Sequence, residues 1–148
     1  MRTSRKHLPL LLVALAASSA GAQAQEVLLG DLDSKSPRKL SKEELGPLLT
    51  GASMHRLTRA GNNNVWTNDA DGSFIVSSDN SSGAGVASSA NGKWHISEDG
   101  RYCVLIEWKR AATEEWCRYL FTTSEGYYVT KSDVSRTERV YRLDIKPR

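Results

Sequence analysis

The side chains of this 148-residue sequence whose types and spacing could do chemistry are few: two Cys, two internal His, a trio of Glu and a set of aromatics. A metal site needs His, Cys or carboxylates at ligand spacing. His55 and His95 each lack a nearby partner in sequence, and Cys103 and Cys117 are the only cysteines. Nucleophilic catalysis needs a Ser or Cys beside a base that a third group orients. None of the many Ser sits in a Gly-x-Ser-x-Gly elbow. Glu107, Glu114 and Glu115 cluster near a turn, where two opposed carboxylates would suit glycoside hydrolysis, but a solvated turn places them equally well. Residues 79–91 contain Gly83 and Gly85 without the Lys and following helix of a phosphate loop. No catalytic residue, metal ligand or cofactor is therefore expected.

The aromatic residues carry more information. Trp66, Trp94, Tyr102, Trp108 and Trp116 are the candidate ligand-binding set, with Tyr119, Tyr127, Tyr128 and Tyr141 close in sequence to the same elements. Such side chains line pockets for apolar or ring-bearing molecules. The simpler alternative, and the favoured one, is that they fill a small barrel, whose interior is only just wide enough for side chains.

The N-terminus sets the compartment. Arg2, Arg5 and Lys6 precede an apolar run over residues 8–17, and Ala22-Gln23-Ala24 has the small-x-small form of a signal-peptide cleavage site. Residues 1–24 are expected to be removed near Ala24, giving a periplasmic or secreted product, and no segment is long enough for an apolar membrane-spanning helix. Those residues hold three of the 20 Lys/Arg and none of the 17 Asp/Glu, which leaves 17 of each. A nucleic-acid binder should carry a clustered basic surface. Neutral balance argues against that partner.

The remaining chain suits one domain over residues 40–148 behind a flexible leader at 25–39. Ser41 and Glu44 have the spacing of a capping box, flanked by Leu40 and Leu45 as a hydrophobic staple. Gly46-Pro47 should hold the helix to a turn or two. Eight extended runs follow, at residues 53–59, 64–68, 73–78, 93–96, 101–108, 115–123, 127–131 and 138–145, separated by Gly-, Asn- and Asp-rich turns. This pattern predicts a mainly β, antiparallel, eight-stranded barrel or sandwich, lipocalin-like in shape, with a short N-terminal helix. The last run is ambiguous, because Arg136, Arg139 and Arg142 could also line one helix face.

In an exported chain, two Cys with one possible pairing imply a disulfide. If Cys103 faces Cys117 across a hairpin, Tyr102 faces Arg118, Val104 faces Trp116 and Ile106 faces Glu114. Tyr102, Val104, Ile106, Trp108, Trp116 and Leu120 then form the more apolar face, placed inward. Cys103, Leu105, Glu107, Glu115, Cys117, Tyr119 and Phe121 face out.

At Gly92-Lys93-Trp94-His95-Ile96, Asp99-Gly100-Arg101-Tyr102-Cys103, Glu107-Trp108 and Trp116-Cys117-Arg118-Tyr119, the chain resembles a family of exported proteobacterial proteins with a small β domain and two Cys-bearing strands. Leu40-Ser41-x-x-Glu44-Leu45, Trp66-Thr67-Asn68 and Asp71-Gly72 look like its opening. The likeness covers about residues 40–128. The family is of unknown function, so the resemblance implies compartment and fold and transfers no catalytic residue. Gly-x-Trp is also a lipocalin hallmark, but there it belongs to the first strand and here to the fourth, against lipocalin descent.

The expected function is a non-enzymatic binding module for a small apolar or aromatic molecule. The alternative is a protein–protein module, such as a periplasmic hydrolase inhibitor or envelope-stress factor, with the loop at 79–91 as its inserting element. An enzyme would require His55 or His95 to meet a carboxylate in a cleft.

Overall fold

The structure is a computed structural model that describes residues 26–83 and 85–148. The expected signal peptide and its cleavage site lie outside the described residues. A 3-10 helix at Leu29–Lys35 and a two-residue strand β1 (Arg38–Lys39) lead into helix α1 (Lys42–Leu49). The chain then forms β2 (Ser53–Leu57), β3 (Asn63–Thr67), β4 (Ser73–Ser78), β5 (Ser88–Ile96), β6 (Tyr102–Glu107), β7 (Glu114–Thr123), β8 (Gly126–Thr130) and β9 (Val140–Lys146). Each strand from β2 to β9 pairs antiparallel with the next, and β9 returns to β2. The result is a closed eight-stranded barrel, an architecture with no free sheet edge.

Alternation decides which side chains face inward. Along β3, β4 and β5 buried and exposed positions alternate, as the two-residue period of a strand requires. Met54, Trp66, Phe74, Val76, Ala90, Trp94, Tyr102, Val104, Ile106, Leu120, Val129 and Leu143 join one interior cluster. The central hairpin has the register expected from its Cys pair: Tyr102 opposite Arg118, Cys103 opposite Cys117, Val104 opposite Trp116 and Ile106 opposite Glu114. Cys103 and Cys117 are bonded on the outer face with Cα atoms 4.0 Å apart, well inside the ~5.5 Å of a hydrogen-bonded strand pair. With its ends 14 positions apart in sequence, the bridge contributes about 3 kcal/mol by the loop-closure argument.

Helix α1 forms as its sequence implies. The Ser41 hydroxyl accepts from Glu44 N–H at 3.3 Å, the Glu44 carboxylate accepts from Ser41 N–H at 2.8 Å, and Leu40 and Leu45 are both buried. Pro47 sits within the two-turn helix. Leu45 and Leu49 drop onto one end of the barrel, where Asn68 Nδ2 donates to Leu49 carbonyl at 3.2 Å. Lys42 reaches Glu98 in the β5–β6 turn at 2.8 Å. That end is closed.

Two stretches differ from expectation. The leader is not a structureless segment: Leu29 and Leu32 of its 3-10 helix are buried against Phe121, Tyr128 and Val140 on the outside of the barrel. Phe121 and Tyr128 are opposed on β7 and β8, so two large rings face outward together and require cover. Leucines three apart eclipse on a 3-10 helix and supply it. The second difference is at β5, which starts at Ser88 rather than at 93 and shortens the polar loop to 79–87. Residues 88–92 read as loop because they are small and polar. The Phe74 ring explains the last of them, since a Cβ on Gly92 would lie 2.0 Å from Phe74 Cε2. The ambiguous final run is a strand, β9, with Arg142 on its outer side beside Asp144 at 2.8 Å.

Candidate functional site

The end opposite α1 is ringed by the β2–β3, β4–β5 and β6–β7 connections and encloses a cavity of about 750 Å³. Its walls include Asn64, Ser78, Trp108 and Glu114 from the strand ends and Asn62 and Asn80 from the loops. A second cavity of about 330 Å³, lined by Arg56, Trp116, Arg118, Val129 and Tyr141, shares Thr58, Ala60 and Glu114 with the first. It sits where the barrel wall loosens, since β2 and β9 pair only from Ser53 to His55.

The loops that frame the mouth are held by their own polar side chains. The Asp79 carboxylate accepts from Asn63 N–H at 2.9 Å, from Asn63 Nδ2 at 2.7 Å and from Ser81 N–H at 3.1 Å. These bonds hold its pKa down to about 2, the Asn63 amide contributing most. Asn62 Oδ1 accepts from Ser82 N–H and hydroxyl at 2.8 and 2.7 Å. Asn80 takes a left-handed conformation (φ 48°) and donates to Val86 carbonyl at 2.7 Å. Asn tolerates that conformation better than most residues.

The five aromatic candidates fall into two groups. Trp66, Trp94 and Tyr102 are buried toward the closed end with their polar atoms satisfied. Trp66 Nε1 donates to Asn68 Oδ1 at 3.0 Å and to the Tyr102 oxygen at 3.2 Å, and Tyr102 donates to Asn68 Oδ1 at 2.9 Å. Trp94 Nε1 donates to Asp69 carbonyl at 2.9 Å. Burial pushes the Tyr102 hydroxyl up to about 12. Trp108 and Trp116 instead line the two cavities. The Trp116 ring meets Tyr102 edge-on at 5.5 Å, so a wall of the second cavity packs directly on the closed-end cluster.

Residues outside the predicted set complete the mouth. Arg56 pairs with Glu114 at 2.5 Å, and the same carboxylate oxygen accepts from Trp116 Nε1 at 3.1 Å. The Arg56 guanidinium lies 5.7 Å from the Trp116 ring centre. Arg118 lies between rings, 5.1 Å from Tyr141 and 5.9 Å from Trp116. Burial draws its pKa down from the ordinary arginine value. Arg56 Nε, Arg118 Nη1 and Asn64 Oδ1 are buried without a hydrogen-bond partner among the described residues. The signal for Arg118 lay in the hairpin register, because the inward alternation from Trp116 to Leu120 passes through it. Arg56 likewise follows inward-facing Met54 by two.

The histidines lie elsewhere. His55 bonds Asp144 at 3.2 Å and Asn63 at 3.0 Å, on the outer side of β2. His95 is an exposed residue opposite Cys103. Neither lines a cavity described above. Among the described residues no group of three or more His, Cys, Asp or Glu is placed to hold a metal ion.

Comparison with known proteins yields one assignment. The model of a family described as a protein of unknown function (DUF995) matches residues 10–126. The chain belongs to this family. No curated protein and no solved structure matches it. The DUF995 match covers α1 and β2 to β7 and stops where β8 begins. It thus includes Trp108, Glu114, Trp116 and Arg118, while Val129 and Tyr141 come from strands beyond it.

Proposed function

We propose that this DUF995 protein is an exported, non-enzymatic binding module that takes a small apolar or ring-bearing molecule in the mouth of its barrel. The observation that carries the reading is the cavity of about 750 Å³ in a barrel whose other end is sealed by α1. Pockets for small molecules run from roughly 300 to 1,000 Å³ and combine apolar walls with a few placed polar groups. Trp108 supplies apolar wall, and Asn64 supplies a buried acceptor with no partner among the described residues. The Cys103–Cys117 bridge favours an oxidising compartment. No helix among the described residues is long and apolar enough to cross a membrane.

One observation favours a small ligand over an inhibitor with an inserting loop. Asp79 is bonded to Asn63 at the start of β3, and Ser81 and Ser82 to Gly61 and Asn62 of the β2–β3 connection, which makes these residues part of the framework around the cavity. Titration with the neutral fluorophore N-phenyl-1-naphthylamine tests the reading. Saturable binding at micromolar concentration is expected, weakened about tenfold by Trp108→Ala, in line with the ~1–2 kcal/mol that one buried ring contact contributes. Absence of saturable binding in the folded, disulfide-bonded protein would overturn it.

A further inference from the structure

The charges around the mouth carry an inference about the ligand that rests on the binding reading above. Residues 26–148 hold 17 Lys/Arg and 17 Asp/Glu, a neutral balance. The lining of the two joined cavities is far from neutral: it includes Arg56, Arg59, Lys109, Arg110 and Arg118 against the single carboxylate of Glu114. Glu114 is already engaged, through its 2.5 Å pair with Arg56. Arg118 makes no ion pair among the described residues. Its contacts with Tyr141 and Trp116 fix the guanidinium through ring faces, which consume none of its N–H donors. One of those donors, Nη1, is buried and unpartnered. A half-buried cation with unused donors beside an aromatic wall is suited to an anion that offers two oxygens side by side, because a guanidinium can bind such a carboxylate or sulfonate with two parallel bonds.

We propose that the mouth selects an organic anion, a carboxylate or sulfonate on an aromatic or short apolar body, with Arg118 as the residue that engages the charged group. The body lies against Trp116 and Trp108. Arg59, Lys109 and Arg110, exposed at the rim, raise the local concentration of anions and make capture sensitive to salt.

The test uses a matched pair, 2-naphthoate and 2-naphthamide, which share a ring system and differ in charge. Calorimetric or Trp-fluorescence titration of the full disulfide-bonded protein should give naphthoate at least tenfold tighter than naphthamide at low ionic strength. That advantage should shrink as salt is raised, and Arg118→Met should abolish it while leaving naphthamide binding in place. Arg118→Lys should retain part of it, and Arg142→Met, which removes one positive charge from the outer wall, should retain all of it. Equal affinity for the two probes, or an unchanged preference in folded Arg118→Met, would overturn the charge inference and leave the binding reading standing. Failure of both probes to bind would overturn the binding reading and this inference with it.

Discussion

The two ends of the barrel use similar side chains to opposite effect. At the α1 end, Trp66, Tyr102 and Asn68 share hydrogen bonds of 2.9 to 3.2 Å, and Asn68 also reaches the Leu49 carbonyl. At the mouth, Trp116, Tyr141, Arg56 and Arg118 stack on one another while Arg56 Nε, Arg118 Nη1 and Asn64 Oδ1 find no partner among the described residues. Burying a polar group without a partner costs about 1–3 kcal/mol, whereas a satisfied group is close to neutral or favourable. The closed end therefore reads as structure that contributes to stability. The mouth satisfies its loop side chains yet leaves these three buried atoms unmatched, which costs stability.

The largest effect that would sharpen this contrast lies at Asn68. Its side chain is fully buried and joins the Trp66 indole, the Tyr102 hydroxyl and the last turn of α1. Asn68→Ala should cost about 4 kcal/mol, from the lost acceptor and the space left behind. Urea denaturation of the oxidised protein measures it. A change below about 1 kcal/mol would mean that the network is not what seals this end.

A somewhat smaller effect is expected from pH at the same site. The Tyr102 pKa in the folded state is raised to about 12, against an ordinary value near 10. The folded state therefore holds the proton more tightly. The associated stability is present in full below pH 10 and is lost as pH rises through about 12, a difference of about 3 kcal/mol. Following tyrosinate absorbance during alkaline titration should show a late component that is coincident with unfolding and missing in Tyr102→Phe. Ionisation of Tyr102 well before unfolding would place its hydroxyl within reach of water and break the contrast between the ends.

Much of the packed half was legible before the fold was known, because local rules govern it. The Ser41–Glu44 box, the two-residue alternation and the pairing of Cys103 with Cys117 are set by residues close in sequence or by a covalent bond. The start of β5 was hidden, since Ser88 and Ser89 have turn composition and Gly92 is required by Phe74, a contact between different strands. The cover of Phe121 and Tyr128 by Leu29 and Leu32 spans about ninety residues and leaves no local trace. Whether the interior is filled or hollow depends on closure of β9 onto β2, a property of the whole barrel. Among the five predicted aromatics, Trp66 and Trp116 have equal claim by residue type. Only their height in the barrel separates a core residue from a cavity wall.

The smallest effect expected is at the rim, where Asp79 holds the β4–β5 loop against Asn63. Its folded-state pKa is depressed to about 2, below the unfolded carboxylate value near 3.9. The sign is therefore opposite to that of Tyr102: the contribution is present above the unfolded value and lost as pH falls through about 2. Because Asp79 is only part-buried, at the rim, the consequence is local. Asp79→Asn at neutral pH should leave global stability almost unchanged, since the new amide group can still offer one acceptor but now confronts the Asn63 Nδ2 donor. Amide exchange at Asn63 and Ser81 should accelerate, while amides of β6 and α1 remain protected. Ligand affinity should fall modestly, because the rim is the element that the loop bonds hold in place. If exchange accelerates equally at both ends of the barrel, the mouth and the sealed end unfold as one unit. The hydrogen bonds of Asp79 would then contribute to the stability of the whole barrel rather than hold the rim alone.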